Sequence, residues 1–280
     1  MIGVFDSGHG GLTILRALTE RLPDRDFLYF GDHANAPYGD RTPAEVIALT
    51  RDAVAALFAR GCRLVLLACN TAAAVALRTL QQDWLPMHAP DHRILGVLVP
   101  TVEGVTGEPW RMEDRTQTPR EQATRRLIVF ATRRTVASNA YPEEIHKRAP
   151  EINVIQHACT GLVQLIEAGA SRAVLREAVR GHVSTLMSEL NGHEPDAVML
   201  GCTHYPLVAD MFVDALPQGI EVVSQPDLVA ASLSDYLRRR PDIDVPRKRG
   251  KVSFLTSGDA EEITPLASTF FGRDAAFQKI

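Results

Sequence analysis

The chain has 280 residues, of which 45% are hydrophobic and 23% charged, as expected for a globular protein of one large or two medium-sized domains. The net charge of −4 argues against a general nucleic-acid binder, which normally carries a basic excess. No apolar run approaches the roughly 18 residues of a membrane span, and the first residues lack the features of a secretory signal. We therefore expect a cytoplasmic enzyme or binding protein.

Short apolar runs alternate with helical patterns along the chain. The predicted strands are, in chain order, Ile2–Phe5, Phe27–Phe30, Leu64–Leu67, Ile94–Leu98, Leu127–Phe130, Ile152–Ile155, Ala197–Leu200, Glu221–Val223 and Val252–Leu255. A capping box at Thr42–Glu45 begins a helix that ends at Gly61, a second helix begins near Thr71, and Ala173–Leu190 is amphipathic. Alternating strands and helices predict α/β layers around largely parallel sheets, and the strands suffice for two sheets.

The segment 107–126 interrupts this alternation. It contains two prolines, five arginines and four acidic residues, and its apolar residues follow no period. We interpret it as an exposed loop insertion, with a lid or a partner-contact loop as the alternative, because long loops in compact domains are often functional.

Two similar cysteine motifs follow two of the predicted strands. Residues 66–71 and 199–204 each contain an apolar pair, a small residue, a cysteine and two polar residues, and each precedes a helical segment. Ligands bind beyond the carboxyl ends of parallel strands, and a helix N-terminus favours a thiolate. Ionising an ordinary thiol at pH 7 costs about 2 kcal/mol, which a helix terminus with two or three N–H bonds can offset. Cys69 and Cys202 are therefore predicted to be catalytic, whereas Cys62 is interpreted as structural and Cys159 is left open.

Two loops are candidate ligand-binding segments. The glycine-rich run Asp6–Gly11 does not fit a nucleotide phosphate loop, and it suits a carboxylate or another small anion. Asp6 is expected to bind an ammonium group or orient a thiol, with a helix N-cap as the alternative. The Pro37–Gly39 turn can cover a ligand with backbone N–H groups and a phenol, and His204 can assist the ionisation of Cys202. His88 and His92 flank a proline, which argues against a metal there.

Two opposed thiols suit the movement of a proton from one face of a carbon to the other. One thiolate removes the α-proton of an amino acid while the opposite thiol delivers one, which racemises the carbon without a redox cofactor. The α-proton is weakly acidic, so such a site must be closed and rich in aimed N–H donors, and a cleft between two domains meets that demand.

These residues occur in the order typical of one family. The motifs are Phe5–Gly8 with Gly10 and Gly11, Gly31-Asp32, Pro37–Gly39, Ala68–Ala72 and Gly201–Pro206, with weaker similarity at Thr132, Thr135, Glu167 and Thr256–Asp259. Over almost the whole chain the sequence resembles the glutamate racemases of the aspartate/glutamate racemase superfamily. The resemblance implies racemisation of L- and D-glutamate without a cofactor or metal, a supply of D-glutamate for peptidoglycan, and a homodimer.

The resemblance also implies two pseudosymmetric α/β domains with the active site in the cleft between them. We predict residues 1–98 and 208–280 for the first, discontinuous domain and 99–207 for the second. Cys69 and Cys202 become the two acid/base residues. The positions expected to contact substrate or tune the thiols are Asp6, Ser7, Tyr38, Gly39, Asn70, Thr71, Thr203 and His204. The possible helpers are Pro37, Thr132, Thr135 and Glu167.

Some positions depart from the family pattern. His9 stands where a small apolar residue is usual, Ala131 precedes Thr132 where a glycine is usual, and Ser224–Pro226 also differs.

Two alternatives to a glutamate racemase stay open. One is a racemase for aspartate or another amino acid, and the other is a non-racemising relative such as a decarboxylase or an amino-acid-binding protein. Racemisation is favoured because both cysteines are present, and a one-sided protonation needs only one.

Overall fold

The computed structural model describes residues 1–108, 126–243 and 250–280. Within these residues the strands are β1 (Ile2–Asp6), β2 (Phe27–Gly31), β3 (Leu64–Leu67), β4 (Arg93–Gly96), β5 (Arg126–Ala131), β6 (Asn153–Ala158), β7 (Ala197–Gly201), β8 (Glu221–Val223), β9 (Val252–Thr256) and β10 (Phe277–Lys279). They form one sheet in the order β10-β9-β2-β1-β3-β4 and another in the order β6-β5-β7-β8.

Helices connect the strands. They are α1 (Gly11–Arg21), α2 (Pro43–Ala59), α3 (Asn70–Val75), α4 (Leu77–Thr79), α5 (Leu85–His88), α6 (Leu98–Thr106), α7 (Arg133–Ser138), α8 (Ala140–His146), α9 (Leu162–Glu167), α10 (Arg172–Glu189), α11 (Ala209–Ala215), α12 (Pro226–Arg239) and α13 (Ala260–Phe271). Short 3-10 turns cover His33–Asn35, Tyr38–Asp40 and Tyr205–Val208. No helix in the described part of the chain combines the length and apolar character that crossing a bilayer requires.

Every strand pair in the described residues is parallel. The central strands β1, β3 and β7 are buried along their whole length, as expected for strands covered by helices on both faces. Because parallel strands of one sheet end at the same edge, the residues that follow β1 and β3 meet, as do those that follow β5, β6 and β7. The predicted α/β class with two parallel sheets is confirmed.

Local signals account for the main connecting helices. The Thr42 side chain and Glu45 form the predicted capping box at the start of α2. Val46, Val54 and Leu57 of that helix are buried and pack in the hydrophobic core. Helix α10 begins one residue before the predicted start and buries Val179, among others, on its apolar face.

All nine predicted strands are present, and three details differ. Strand β4 ends at Gly96, and helix α6 begins at Leu98, inside the predicted strand. Strand β10 is not predicted because it has three residues, of which only Phe277 is buried. Strand β8 pairs with β7 in the second sheet, although the predicted boundaries assign 208–280 to the first domain. The division into two domains stays a prediction, and the predicted insertion falls mostly on residues 109–125, outside the described part of the chain.

Candidate active site

A pocket lies beyond the carboxyl ends of strands from both sheets. Ser7 follows β1, Cys69 follows β3 closely, and both line it. From the second sheet, Thr132 follows β5 and Cys202 follows β7, and they line the same pocket. The two predicted catalytic thiols therefore share one pocket, with a different sheet behind each.

Most of the residues predicted from sequence line this pocket. These are Ser7, Pro37, Tyr38, Gly39, Cys69, Asn70, Thr71, Thr132, Cys202, Thr203 and His204. The other three predicted residues do not line the pocket, but each forms a hydrogen bond with a residue that does. Asp6 contacts Thr203, Thr135 contacts Thr71, and Glu167 contacts His204. Their substrate contacts and roles stay predictions.

Cys69 occupies the N-cap position of α3, as predicted. Its Sγ accepts a hydrogen bond from the Ala72 N–H at 3.5 Å and lies 3.5 Å from the Ser7 hydroxyl. The expected net stabilisation of a Cys69 thiolate is nevertheless wrong. Burial and the nearby Asp6 carboxylate raise the pKa of Cys69 to about 12, and the bonds from Ala72 and Ser7 only partly offset this. Cys69 is therefore a protonated thiol, suited to donating a proton.

Cys202 has a different environment. The predicted helical segment after Cys202 is present, and it begins as the 3-10 turn Tyr205–Val208, which α11 follows directly. The Sγ atom of Cys202 lies 3.8 Å from Nδ1 of His204, and the His204 side chain is buried. Burial disfavours a charged imidazole, but hydrogen bonds with Cys202 and Glu167 raise the pKa of His204 well above its ordinary value. A protonated His204 is a cation placed to stabilise a thiolate at Cys202.

Glu167 accepts hydrogen bonds from two imidazoles. His204 Nε2 lies 2.6 Å from its Oε1, and His9 Nδ1 lies 2.5 Å from its Oε2. Burial alone would raise the pKa of Glu167, but the bonds from His204 and His9 lower it far below its ordinary value. Glu167 is therefore an anion behind His204, as a helper of the second cysteine requires.

The glycine-rich loop serves the protein's own carboxylates. The Gly8 N–H donates to Asp6 Oδ1 at 2.9 Å, and the His9 N–H donates to Glu167 Oε1 at 3.3 Å. These two donors are thus used by carboxylates of the protein itself, and binding of a small anion by this loop stays a prediction. Asp6 is completely buried and also accepts from the Thr203 hydroxyl at 3.2 Å. Burial raises the pKa of Asp6. The charge of His204 and the hydrogen bonds that Asp6 accepts lower it, but they do not outweigh burial.

Gly10 has a steric role. A Cβ atom there would lie 2.3 Å from Thr203 Oγ1 and 2.4 Å from His204 Nδ1. The loop after β7 therefore packs directly on the loop after β1, which only the absence of a side chain at position 10 allows.

Three threonine hydroxyls join the two sides of the pocket. Thr71 Oγ1 lies 3.0 Å from Thr132 Oγ1 and 3.2 Å from Thr135 Oγ1, and Thr132 and Thr135 are 3.0 Å apart. Gly39 lies against this cluster, since a Cβ there would meet the Thr132 Cβ at 3.1 Å. The Tyr38 hydroxyl donates to Asp32 Oδ2 at 2.6 Å.

Asn70 belongs to a buried amide network. Its amide pairs with Gln225, donating at 2.7 Å and accepting at 3.0 Å. Gln225 also contacts Thr101 and Tyr141, and Tyr141 donates to Asn70 Oδ1 at 2.5 Å. The Asn70 side chain therefore fixes the start of α3 beside Cys69, and its predicted substrate contact stays a prediction.

Sequence reasoning does not assign roles to several residues of this region. His9 and Gln225 stand out in the sequence only as departures from the family pattern. Arg133 and Asp40 both line the pocket and form an ion pair at 2.8 Å, and a sequence offers no signal for such a contact between residues 93 positions apart. Cys159, for which the sequence favours no role, lines the pocket as a third thiol, and burial raises its pKa.

The described residues contain one group of potential metal ligands, whereas the sequence predicts no metal. The ligand atoms of His157, Cys159 and His182 lie within 4.8 Å of one another. The two imidazoles form a hydrogen bond at 3.1 Å, and burial lowers the pKa of both. This hydrogen bond already engages one nitrogen of each ring.

Comparison with known proteins identifies close relatives. No protein-family model matches the chain. The chain is 45% identical to the glutamate racemase of Phenylobacterium zucineum over 99% of both proteins. The structure matches the glutamate racemase of Bacillus anthracis with a TM-score of 0.83 and 26% identity, covering 100% of this chain and 97% of that one. It matches the Francisella tularensis glutamate racemase, solved in complex with D-glutamate, with a TM-score of 0.83 and 25% identity, covering 100% and 96% of the two chains.

Proposed function

The chain belongs to the glutamate racemases, which are isomerases, and we propose that it interconverts L- and D-glutamate through two bases, Cys69 and Cys202. The observation that carries this proposal is that both thiols line one pocket, each at the end of a strand from a different sheet. Opposed thiols reach opposite faces of one carbon, as exchange of its hydrogen with inversion requires.

The charges around the two thiols differ in a way that suits a first proton transfer. Cys69 lies near the Asp6 carboxylate and is protonated, whereas Cys202 lies beside the His204 imidazole. In one direction the Cys202 thiolate takes the α-proton, and the electron pair of the C–H bond remains on the substrate as a carbanion. Cys69 then gives its proton to the opposite face of that carbon and becomes a thiolate. The reverse direction starts from the Cys69 thiolate and the Cys202 thiol.

The polar lining suits a substrate that carries two carboxylates and an ammonium group. Three residues that carry hydroxyls, Ser7, Thr71 and Thr132, line the pocket, and Gly39 and His204 line it as well. Aimed N–H and O–H donors stabilise the charge that develops when the α-proton leaves. We assign substrate binding to these residues together with Asn70, Thr203 and Tyr38.

We also propose a use for the D-glutamate product, a cellular location and an oligomeric state. The family resemblance supports a supply of D-glutamate for peptidoglycan, a cytoplasmic location and a homodimer.

A cofactor-free assay tests the reaction. The purified protein is incubated with L-glutamate, and the decay of optical rotation or circular dichroism is followed, with L-aspartate and heat-denatured protein as controls. We expect the signal of glutamate to decay to zero and that of aspartate to persist. Decay with aspartate alone supports the aspartate alternative, and a stable signal with both amino acids supports the non-racemising alternative.

A further inference from the structure

His9 is a buried imidazole next to the candidate active site, and the two-thiol reaction gives it no role. It is buried, with 5% of its surface exposed. Its Nδ1 lies 2.5 Å from Glu167 Oε2, and its Nε2 lies 3.1 Å from the backbone carbonyl oxygen of Ile263. The ring also stacks on Phe270 with ring centres 5.4 Å apart. Both nitrogens and one face of the imidazole are therefore held.

The partners of His9 determine where its protons are. The Ile263 carbonyl can only accept a hydrogen bond, so Nε2 must carry a proton. An ionised carboxylate can also only accept, so Nδ1 must carry a proton when Glu167 is an anion. With Glu167 ionised, His9 is thus an imidazolium that forms a charge-assisted hydrogen bond.

The groups form a continuous line from the thiol into the core. Cys202 contacts His204, His204 contacts Glu167, and Glu167 contacts His9. We call these four residues the Glu167 cluster. With both imidazoles protonated and Glu167 ionised, the cluster is neutral when Cys202 is a thiolate. Without the charge of His9, the same thiolate form carries a net negative charge, which is costly to bury.

We propose that His9 is a positioning residue for proton transfer at Cys202. It shares Glu167 with His204, fixes that carboxylate against His204, and supplies the positive charge that compensates the Cys202 thiolate. This inference rests on the proposed two-thiol function, and it adds a group at a position where the family pattern has a small apolar residue.

Other titratable groups face His9 from the elements packed around it. His33 meets the ring edge-on, with ring centres 4.4 Å apart. Burial and the charge of His9 lower the pKa of His33 to about 4, so His33 is neutral at pH 7. Asp6 lies in the same loop and is engaged by Gly8 and Thr203, and the Tyr29 hydroxyl donates to the Gly8 carbonyl oxygen at 2.7 Å. Helix α13 presents the Ile263 carbonyl and the Phe270 ring.

Selective alkylation of the thiols tests this role independently of turnover. Wild type, His9→Leu and His9→Asn are treated with iodoacetamide from pH 5.5 to 9.5, and alkylation of Cys202 and Cys69 is quantified by peptide mass spectrometry. Leucine removes the charge and both donors, whereas asparagine keeps one neutral donor. His33→Asn is the matched control, because His33 packs on His9 but makes no hydrogen bond to Glu167.

We expect His9→Leu to lower the alkylation rate of Cys202 at pH 7 about tenfold, by moving its pH profile about one unit upward. His9→Asn should show an intermediate shift, and the profile of Cys69 should change less than about twofold in both variants. In racemisation, kcat should fall about tenfold and KM should change less than about threefold. The His33→Asn profile should match that of the wild type.

An unchanged Cys202 profile in both His9 variants would overturn the inference, as would equal shifts at Cys69 and Cys202, which indicate general loosening of the pocket. If His9→Leu does not fold, His9→Asn alone decides between these results. If the wild type does not racemise glutamate but the Cys202 shift is observed, the proposed function fails and the charge coupling of His9 stands.

Discussion

The packing of the two pocket loops on each other predicts that a single methyl group at position 10 disturbs the site. Gly10 has ordinary helical backbone angles, with φ −53° and ψ −41°, so alanine fits its conformation without strain. The effect of Gly10→Ala is therefore steric. The new Cβ would lie 2.3 Å from Thr203 Oγ1 and 2.4 Å from His204 Nδ1.

The required displacement follows from these distances. Ordinary van der Waals contact begins at 3.4 Å, so the loop that carries Thr203 and His204 must retreat by about 1 Å. That loop also holds Cys202, and His204 lies 3.8 Å from its sulfur. A misplacement of about 1 Å in a catalytic group costs about 10²-fold in rate, and overpacking of this kind costs about 1–3 kcal/mol of stability.

The assay compares kcat for glutamate racemisation and the thermal midpoint of Gly10→Ala with those of Gly181→Ala. Gly181 lies within α10, and a methyl group there would have no neighbouring atom within 4 Å beyond its own helix backbone. Alanine at position 181 should therefore leave kcat unchanged and stabilise the helix by about 1 kcal/mol. A Gly10→Ala protein with wild-type kcat would refute the idea that this close contact positions the second thiol.

The two thiols, the buried amide network and His204 each give a further prediction. Cys69→Ala and Cys202→Ala should each lower racemisation by about 10³-fold or more while circular dichroism and the melting profile stay near wild type, and substantial turnover by either variant contradicts the two-base assignment. Gln225→Leu should lower the free energy of unfolding in urea by about 3 kcal/mol, because it leaves buried polar partners unpaired, whereas the exposed Gln278→Ala should change it by less than about 0.5 kcal/mol. The pKa of His204 is raised on folding, so its contribution to stability is full below about pH 6.5 and is lost as the pH rises through its folded pKa. The stability deficit of His204→Asn should therefore be largest near pH 6 and shrink toward alkaline pH, and a deficit that grows with pH contradicts the assigned direction.

The sequence predicts the sheets well because their strands carry an unambiguous signal. Runs such as Leu64–Leu67 are apolar at every position, as burial on both faces demands, and each is bounded by helical patterns. The cysteine motifs then mark strand ends, and parallel strands bring such ends to one edge. A three-residue edge strand such as β10 offers no comparable pattern.

The electrostatics of the site are harder to predict because they depend on distant residues. At Cys69 the helix terminus supplies a favourable contact from a neighbour along the chain, but burial and the Asp6 carboxylate outweigh the hydrogen bonds from Ala72 and Ser7. His9 and Glu167 are 158 positions apart, and Asn70 and Gln225 are 155 apart. A pairing at such separation leaves no period or spacing in one sequence, so only the folded chain reveals it.

Hydrogen exchange during racemisation tests the two-thiol claim most directly. L-glutamate is incubated with the protein in D2O, and at low conversion the two enantiomers are separated and their masses are measured by mass spectrometry. With two bases on opposite faces, the D-glutamate formed carries one deuterium at its α-carbon, and the remaining L-glutamate carries almost none. Equal deuterium in both enantiomers at low conversion would mean that one base serves both faces, and would contradict the assignment of Cys69 and Cys202 as an opposed pair.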